Sequence, residues 1–238
     1  MSFDLPRDTV LPVDVIDVRL DPAPHPLEVH NLPAIEENWR HETTINPHIF
    51  DGKVALLSEL SYRDNRLAGR CHIVRYATFM YWRRNRETSG AGHVFAHAML
   101  VSSDNALVAI RMGKHTVNAG RVYFAAGSFE LEDFRDGVVD VDFNMHREVL
   151  EETGIDIGKA SPARRYYLLT TSSGTVIFRR YRMPMTANAM VASINAFVAS
   201  QQNPEIAAPV VIHSASDQPD GLASHMPLLI EWHFANRG

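Results

Sequence analysis

Arg147-Glu148-Val149-Leu150-Glu151-Glu152-Thr153-Gly154-Ile155 decides how the rest of the chain is read. On a helix turning about 100° per residue, with Val149 at zero, Glu148, Glu151 and Glu152 fall at about 260°, 200° and 300°, and Leu150 at about 100°. Three carboxylates therefore share one arc. Like charges at i, i+4, here Glu148 and Glu152, oppose helix formation by about 0.2–0.5 kcal/mol, and Glu151 beside them adds to the cost. Arg147 can pair with Glu151 four residues on, which settles one acid. The others stay close together, as oxygen ligands of a divalent cation do. Gly154 suits the left-handed position that ends a helix. Spacing alone fits the solvated face of an ordinary amphipathic helix equally well.

The same nine residues fill every position of the second half of the Nudix box: Arg, Glu, an aliphatic, any residue, Glu, Glu, any residue, Gly, an aliphatic. The chain thus resembles the Nudix hydrolases, which cleave nucleoside diphosphates linked to another moiety. Upstream, Gly120-Arg121-Val122-Tyr123-Phe124-Ala125-Ala126-Gly127 resembles the strand and glycine turn that open that box. The first half departs from the pattern. Gly127 stands twenty residues before Arg147 where fourteen is usual, and the position eight before Arg147, normally glutamate, is Val139. Six residues are in excess, and the Asp, Arg and Gly content from Asp133 to Gly137 reads as turn. Asp140 or Asp142 then caps the helix. Glu130, Glu132 and Asp133 are the candidates to replace the missing glutamate.

The resemblance implies a role for each matching residue. Glu148, Glu151 and Glu152 match the metal-binding acids, and Glu148 also matches a general base acting on a metal-associated water. Arg147 matches an arginine that orients a glutamate of the site, and the Gly127 carbonyl joins the metal shell. The metal is Mg2+ or Mn2+; it neutralises the diphosphate and lowers the pKa of bound water. Glu205, after Pro204 and just before the Val210-Val211-Ile212 strand, stands where a further ligand often lies outside the box; a surface loop acid is the other reading. Arg111, Lys114, His115 and Arg121 precede the box and could meet phosphate oxygens. The expected substrate is a small nucleoside diphosphate derivative, a nucleotide sugar or ADP-ribose in type. Two alternatives stay open: hydrolysis of coenzyme A or another non-sugar diphosphate, and a non-catalytic Nudix-like module that binds a nucleotide.

Composition limits the wider choices. The chain has 238 residues, 45% hydrophobic and 21% charged, which is ordinary for a globular protein with one full domain and a smaller unit. A net charge of −5 lacks the footprint of a nucleic-acid binder. The start has no basic region followed by an apolar run, and no uninterrupted apolar segment approaches about eighteen residues, so neither secretion nor membrane spanning is expected. Cys71 is the only cysteine, which excludes an internal disulfide and a thiolate metal cluster. A cytoplasmic setting follows, and dimerisation is common among similar proteins.

Along the chain, residues 13–20 alternate like a half-buried strand, and the proline-rich stretch after Asp21 breaks it. Asn31 caps a short helix with Pro33 in its first turn. Strand-like runs at 54–62 and 67–74 flank Asp64-Asn65 as a hairpin, and residues 77–84 read as helix. Residues 86–92 form the candidate linker. Beyond it come a second hairpin at 93–102 and 106–112, a strand at 121–124, strands at 166–171 and 175–182, a helix at 187–201, a strand at 210–213 and a helix near 228–234. The expected fold is α+β: a Nudix-type α/β/α sandwich with a mixed sheet over residues 89–238, preceded by a smaller α+β unit over residues 1–88. His93 and His97 have the separation used by zinc-binding helices, but they sit on a strand, where four residues span roughly 13 Å. Tyr76, Phe79, Tyr81 and Trp82, followed by Arg83, Arg84 and Arg86, read as core packing with a solvated basic end. Base stacking with a phosphate on the arginines is the lesser alternative.

Overall fold

The computed structural model of the protein describes residues 3–86 and 90–236. The expected division near residue 88 falls at residues 87–89, outside the described residues.

The chain begins with β1 (Phe3–Asp4), β2 (Val10–Val13) and β3 (Val15–Leu20). The alternating run read as one strand is two, because the chain passes from one sheet to another at Asp14. There the Asp14 and Val15 amides both donate to the Asn65 carbonyl, at 2.8 and 3.3 Å. Helix α1 (Pro26–Ile45) starts earlier than Asn31. His25 is its cap, with Nδ1 accepting from the Leu27 amide at 3.0 Å, and Pro26 supplies the pre-set φ of a first turn. Asn31 marks a kink inside it at φ −129°. Pro33 explains the break, since its ring crowds the carbonyl four residues back.

β4 (Lys53–Arg63) and β5 (Arg66–Arg75) form the expected hairpin, turning at Asp64 and Asn65 with φ of 50° and 58°. Helix α2 (Tyr76–Arg84) follows, then β6 (Val94–Val101), β7 (Leu107–Met112) and β8 (Val122–Tyr123). A small hairpin, β9 (Phe134–Arg135) and β10 (Val138–Val139), leads into α3 (Val141–Thr153). The remainder is β11 (Ser161–Pro162), β12 (Tyr166–Thr171), β13 (Gly174–Arg182), α4 (Ala187–Ser200), β14 (Ile206–Ile212) and α5 (Met226–Ala235).

The fold is α+β with two mixed sheets. One runs β1-β4-β5-β3-β10-β9; the other runs β14-β7-β6-β13-β12-β2, with β11 on β13 and β8 on β7. β6 and β13 pair in parallel at the centre of the larger sheet, and β6 is buried along nearly its whole length, as a strand covered on both faces must be. Alternation along β13 shows what covers it. Arg179 and Tyr181 point to α3, where both reach Asp142, whereas Phe178 points the other way and packs on Trp232 of α5. Helices therefore lie on both faces of this sheet. Hydrogen bonding also joins distant parts of the chain: β2 pairs with β12, and β10 pairs with β3. A single core runs through Val18, Leu57, Met99, Phe124, Met145 and Phe178. A smaller cluster, including Leu27, Leu56, Phe79 and Trp82, lies beneath α1 and α2. Among the described residues no helix is long and apolar enough to cross a membrane.

Candidate functional site

Helix α3 is built at both ends as its sequence suggests. Asp140 is the cap, accepting from the Phe143 amide at 3.0 Å, while Asp142 instead accepts the Tyr181 hydroxyl at 2.7 Å. Gly154 closes the helix at φ 69°, its amide on the Leu150 carbonyl at 2.9 Å. Met145 and Val149 enter the core, which turns Glu148 and Glu152 toward the glycine turn after β8 and leaves Glu151 exposed.

The turn lies directly on those acids. The Ala126 amide donates to Glu152 Oε2 at 2.9 Å. A Cβ on Gly127 would stand 2.0 Å from Glu148 Oε1, so any side chain there would have to push the Glu148 carboxylate aside. Glu148 and Glu152 retain just 9% and 6% exposure. Burial pushes the Glu148 carboxyl up to about 8, with Arg147 opposing and Glu151, Asp133 and Glu130 adding to the rise. Burial, then the Glu148 charge, holds Glu152 well above the ordinary carboxylate range. Two buried acids that repel each other, with hard oxygen donors facing a cleft, are the chemistry a divalent cation satisfies. Among the described residues no three His, Cys, Asp or Glu side chains converge to hold an ion. Arg147 draws two of the acids to itself, with Nη1 at 2.9 Å from Glu148 and 3.2 Å from Glu151.

The guanidinium is fixed on its other side by Asp133. That carboxylate has 0% exposure and accepts from Arg147 Nη2 at 3.0 Å, Asn144 Nδ2 at 2.9 Å and the Glu130 amide at 2.8 Å. Glu132 lies farther from Arg147, at 3.7 Å, and Glu130 lines the cleft instead. Asp133 is thus the acid that holds the arginine. The β9–β10 hairpin between Asp133 and Asp140 loops out of this arrangement, turning at Asp136 and Gly137 with φ of 50° and 76°. Its ends meet where the Asp140 amide donates to the Asp133 carbonyl at 2.7 Å.

A cleft of about 670 Å³ contains Glu148, Glu151, Glu152, Arg147 and Gly127. Glu205 lines it too; its carbonyl accepts the Gly113 amide at 2.7 Å, and its charge adds to the rise at Glu152. The four upstream basic residues part company. His115 lines the cleft, and Arg121 lines an adjoining cavity. Lys114 is exposed and lines neither. Arg111 Nη1 is held by the carbonyls of Gly120 and Asp220 at 3.1 and 3.0 Å. His93 meets Ser128 Oγ at 2.9 Å, and His97 meets His225, ring nitrogen to ring nitrogen, at 2.9 Å.

Sequence reasoning did not single out Asn118, Ser128 or His225, which line the adjoining cavity together with Tyr76, Phe79 and Trp82. The aromatic and arginine content of α2 was the available signal. Core packing describes Phe79 and Trp82, which are buried, and both also wall the cavity.

No protein-family model matches the chain, and no curated protein matches it. Among solved structures, the MutT protein from Methanosarcina mazei is 16% identical, with 61% of this chain and 94% of that one covered at a TM-score of 0.40. The Nudix domain of Shewanella oneidensis NrtR, complexed with ADP ribose, is 12% identical, with 62% and 89% covered at a TM-score of 0.39. A bifunctional NMN adenylyltransferase/ADP ribose pyrophosphatase from Francisella tularensis is 13% identical, with 62% and 42% covered at a TM-score of 0.38. The chain is similar in structure to these three proteins over about 60% of its length.

Proposed function

We propose that the protein is a Nudix-type pyrophosphohydrolase that cleaves a nucleoside diphosphate linked to another moiety. Glu148 and Glu152 would hold Mg2+ or Mn2+, with Glu151, Glu205 and the Gly127 carbonyl completing the shell. The observation that carries this is the pair of buried carboxylates seated directly against a glycine turn, Glu148 in the space that a side chain at Gly127 would take. The metal, when bound, supplies charge neutralisation of the diphosphate and a more acidic water. Glu148 would serve as the base toward that water. Arg147 acts as a positioning residue, held by Asp133 and holding Glu148 and Glu151 in turn.

The excess spacing in the box has a matching reading. Setting aside residues 134–139, the hairpin, leaves Asp133 eight positions before Arg147 and Gly127 fourteen before it. Asp133 then occupies the place of the missing glutamate, and the insertion is the hairpin. The favoured substrates are nucleotide sugars and ADP-ribose, and a screen that adds coenzyme A and dinucleoside polyphosphates separates these classes.

Glu152→Gln tests the assignment. It replaces the carboxyl by an uncharged group of the same shape that cannot serve as an anionic metal ligand, so the thermal midpoint should hold while Mg2+-dependent release of nucleoside monophosphate falls by about 10² or more, as when an electrostatic group of a site is lost. Unchanged turnover would sink the metal assignment. Nucleotide binding by the wild type with no turnover across the substrate panel would leave a binding module instead.

A further inference from the structure

His93, just before β6, and Phe95 and His97 within it alternate onto one face of the strand. Their rings run in contact, His93 stacked on Phe95 at 5.4 Å between centroids and Phe95 edge-on to His97 at 5.2 Å. That face meets the glycine turn of residues 124–128. His93 Nε2 lies 2.9 Å from Ser128 Oγ, Phe95 forms an antiparallel bridge with Ser128, and the His97 ring stands edge-on to Phe124 at 5.9 Å. One histidine therefore sits at each end of the turn. Between them lie the Ala126 amide, on Glu152, and Gly127, against Glu148.

His97 is itself held. Its Nε2 meets His225 Nε2 at 2.9 Å, and both rings are buried. The segment before α5 carries His225 there along β8, the Ala223 amide donating to the Val122 carbonyl at 3.0 Å. Burial is the first cause lowering all three rings, His93 to about 3, His225 to about 4 and His97 well below the ordinary imidazole range. Each ring is thus neutral at neutral pH and carries one N–H. Two neutral rings meet nitrogen to nitrogen only if one donates and the other accepts, so His97 and His225 are opposite tautomers. His97 Nδ1 is buried with no hydrogen-bond partner at good geometry, and the backbone of Phe124 and Ala125 is what favours a proton on the ring. That combination puts the His97 proton on Nδ1 and makes His225 the donor between the rings.

We propose that His93, His97 and His225 are positioning residues for the carboxylate pair: His93 fixes the turn at Ser128, and His97, oriented by His225, fixes it at Phe124 and Ala125, so that the Ala126 amide stays on Glu152. Their bearing on catalysis rests on the hydrolase reading, but the anchoring of the turn does not. Groups that orient metal-binding side chains from behind change metal affinity by about 10–100-fold when lost. The spacing of His93 and His97, which on a helix would suit zinc, on a strand spans the two ends of a turn.

The test is amide hydrogen exchange followed by NMR on the full chain in excess EDTA. In His93→Leu and in His97→Leu the Ala126 amide should exchange tenfold or more faster, while the amides of Leu67 in β5 and Ile194 in α4 keep their wild-type rates. His93→Gln retains a polar group for Ser128 and should restore slow exchange. In the wild type, long-range proton–nitrogen spectra should show His97 protonated at Nδ1 and His225 at Nε2, a measurement that needs no variant to fold. Mn2+ titrated alone should bind about tenfold more weakly to His97→Leu than to the wild type. Unaltered Ala126 exchange in either leucine variant, equal acceleration at Leu67 and Ile194, no rescue by glutamine, any other pair of tautomers, or undiminished Mn2+ affinity in His97→Leu would each overturn the proposal. The hydrolase reading is scored separately: a wild type that binds no Mn2+ and turns over no substrate defeats that reading alone, since the exchange and tautomer measurements require neither.

Discussion

Gly127 and Asp133 are the two residues on which the carboxylate geometry turns, and neither is itself a reacting group. At Gly127 the constraint is space, since a methyl group would have to displace the Glu148 carboxylate. Gly127→Ala should therefore lower turnover by about 10², the cost of misplacing a catalytic group by about 1 Å, with the chain still folded. Steady-state kinetics beside a melting curve checks both parts, and unaltered kcat/KM would show that the turn can move aside. At Asp133 the constraint is charge. Asp133→Ala would leave a largely buried guanidinium and the Asn144 amide without their acceptor, a loss of about 3–5 kcal/mol read by urea unfolding. A loss under about 1 kcal/mol would mean that Arg147 finds enough in Glu148 and Glu151. The sequence offered Glu130, Glu132 and Asp133 on equal terms, because the choice depends on which backbone the closing hairpin brings under the arginine. Composition does not encode that.

At the scale of elements, α3 was legible because its signals are local: an Asp cap, an apolar pair for the core and a glycine stop. The β4–β5 hairpin was legible for the same reason, through two turn residues that tolerate positive φ. Helix α1 was misread at its start. Asn31 followed by Pro33 carries a start signal, yet Pro26 carries one too, and tertiary contacts decide between them. His25, buried, holds the earlier start by capping through Nδ1 while Nε2 meets the Leu57 carbonyl at 3.1 Å. The β9–β10 hairpin yields a prediction of its own. Deleting residues 134–139 and joining Asp133 to Asp140 should preserve turnover within about tenfold, because those two residues already touch. Stability should drop by about 1.5–3 kcal/mol for the buried Val139 alone, seen as a lower urea midpoint. Complete loss of turnover in a folded deletion variant would show that the hairpin serves the site and not only the sheet.

The whole molecule sets two cavities side by side, one holding the carboxylates of α3 and the other walled in part by the rings of α2. The acidic cleft was readable from one run of nine residues. Its neighbour was not, since its walls are assembled from segments far apart in the chain and each segment reads singly as core or surface. The sheet pairings were hidden for a related reason: a strand's alternation shows which face is buried but names no partner. β2 and β10 each lie in a sheet formed largely by strands from the other end of the chain. During synthesis, then, Val10–Val13 emerge long before Tyr166–Thr171 exist to receive them. Closing so long a loop is entropically slow, and the larger sheet cannot be completed until most of the chain has left the ribosome.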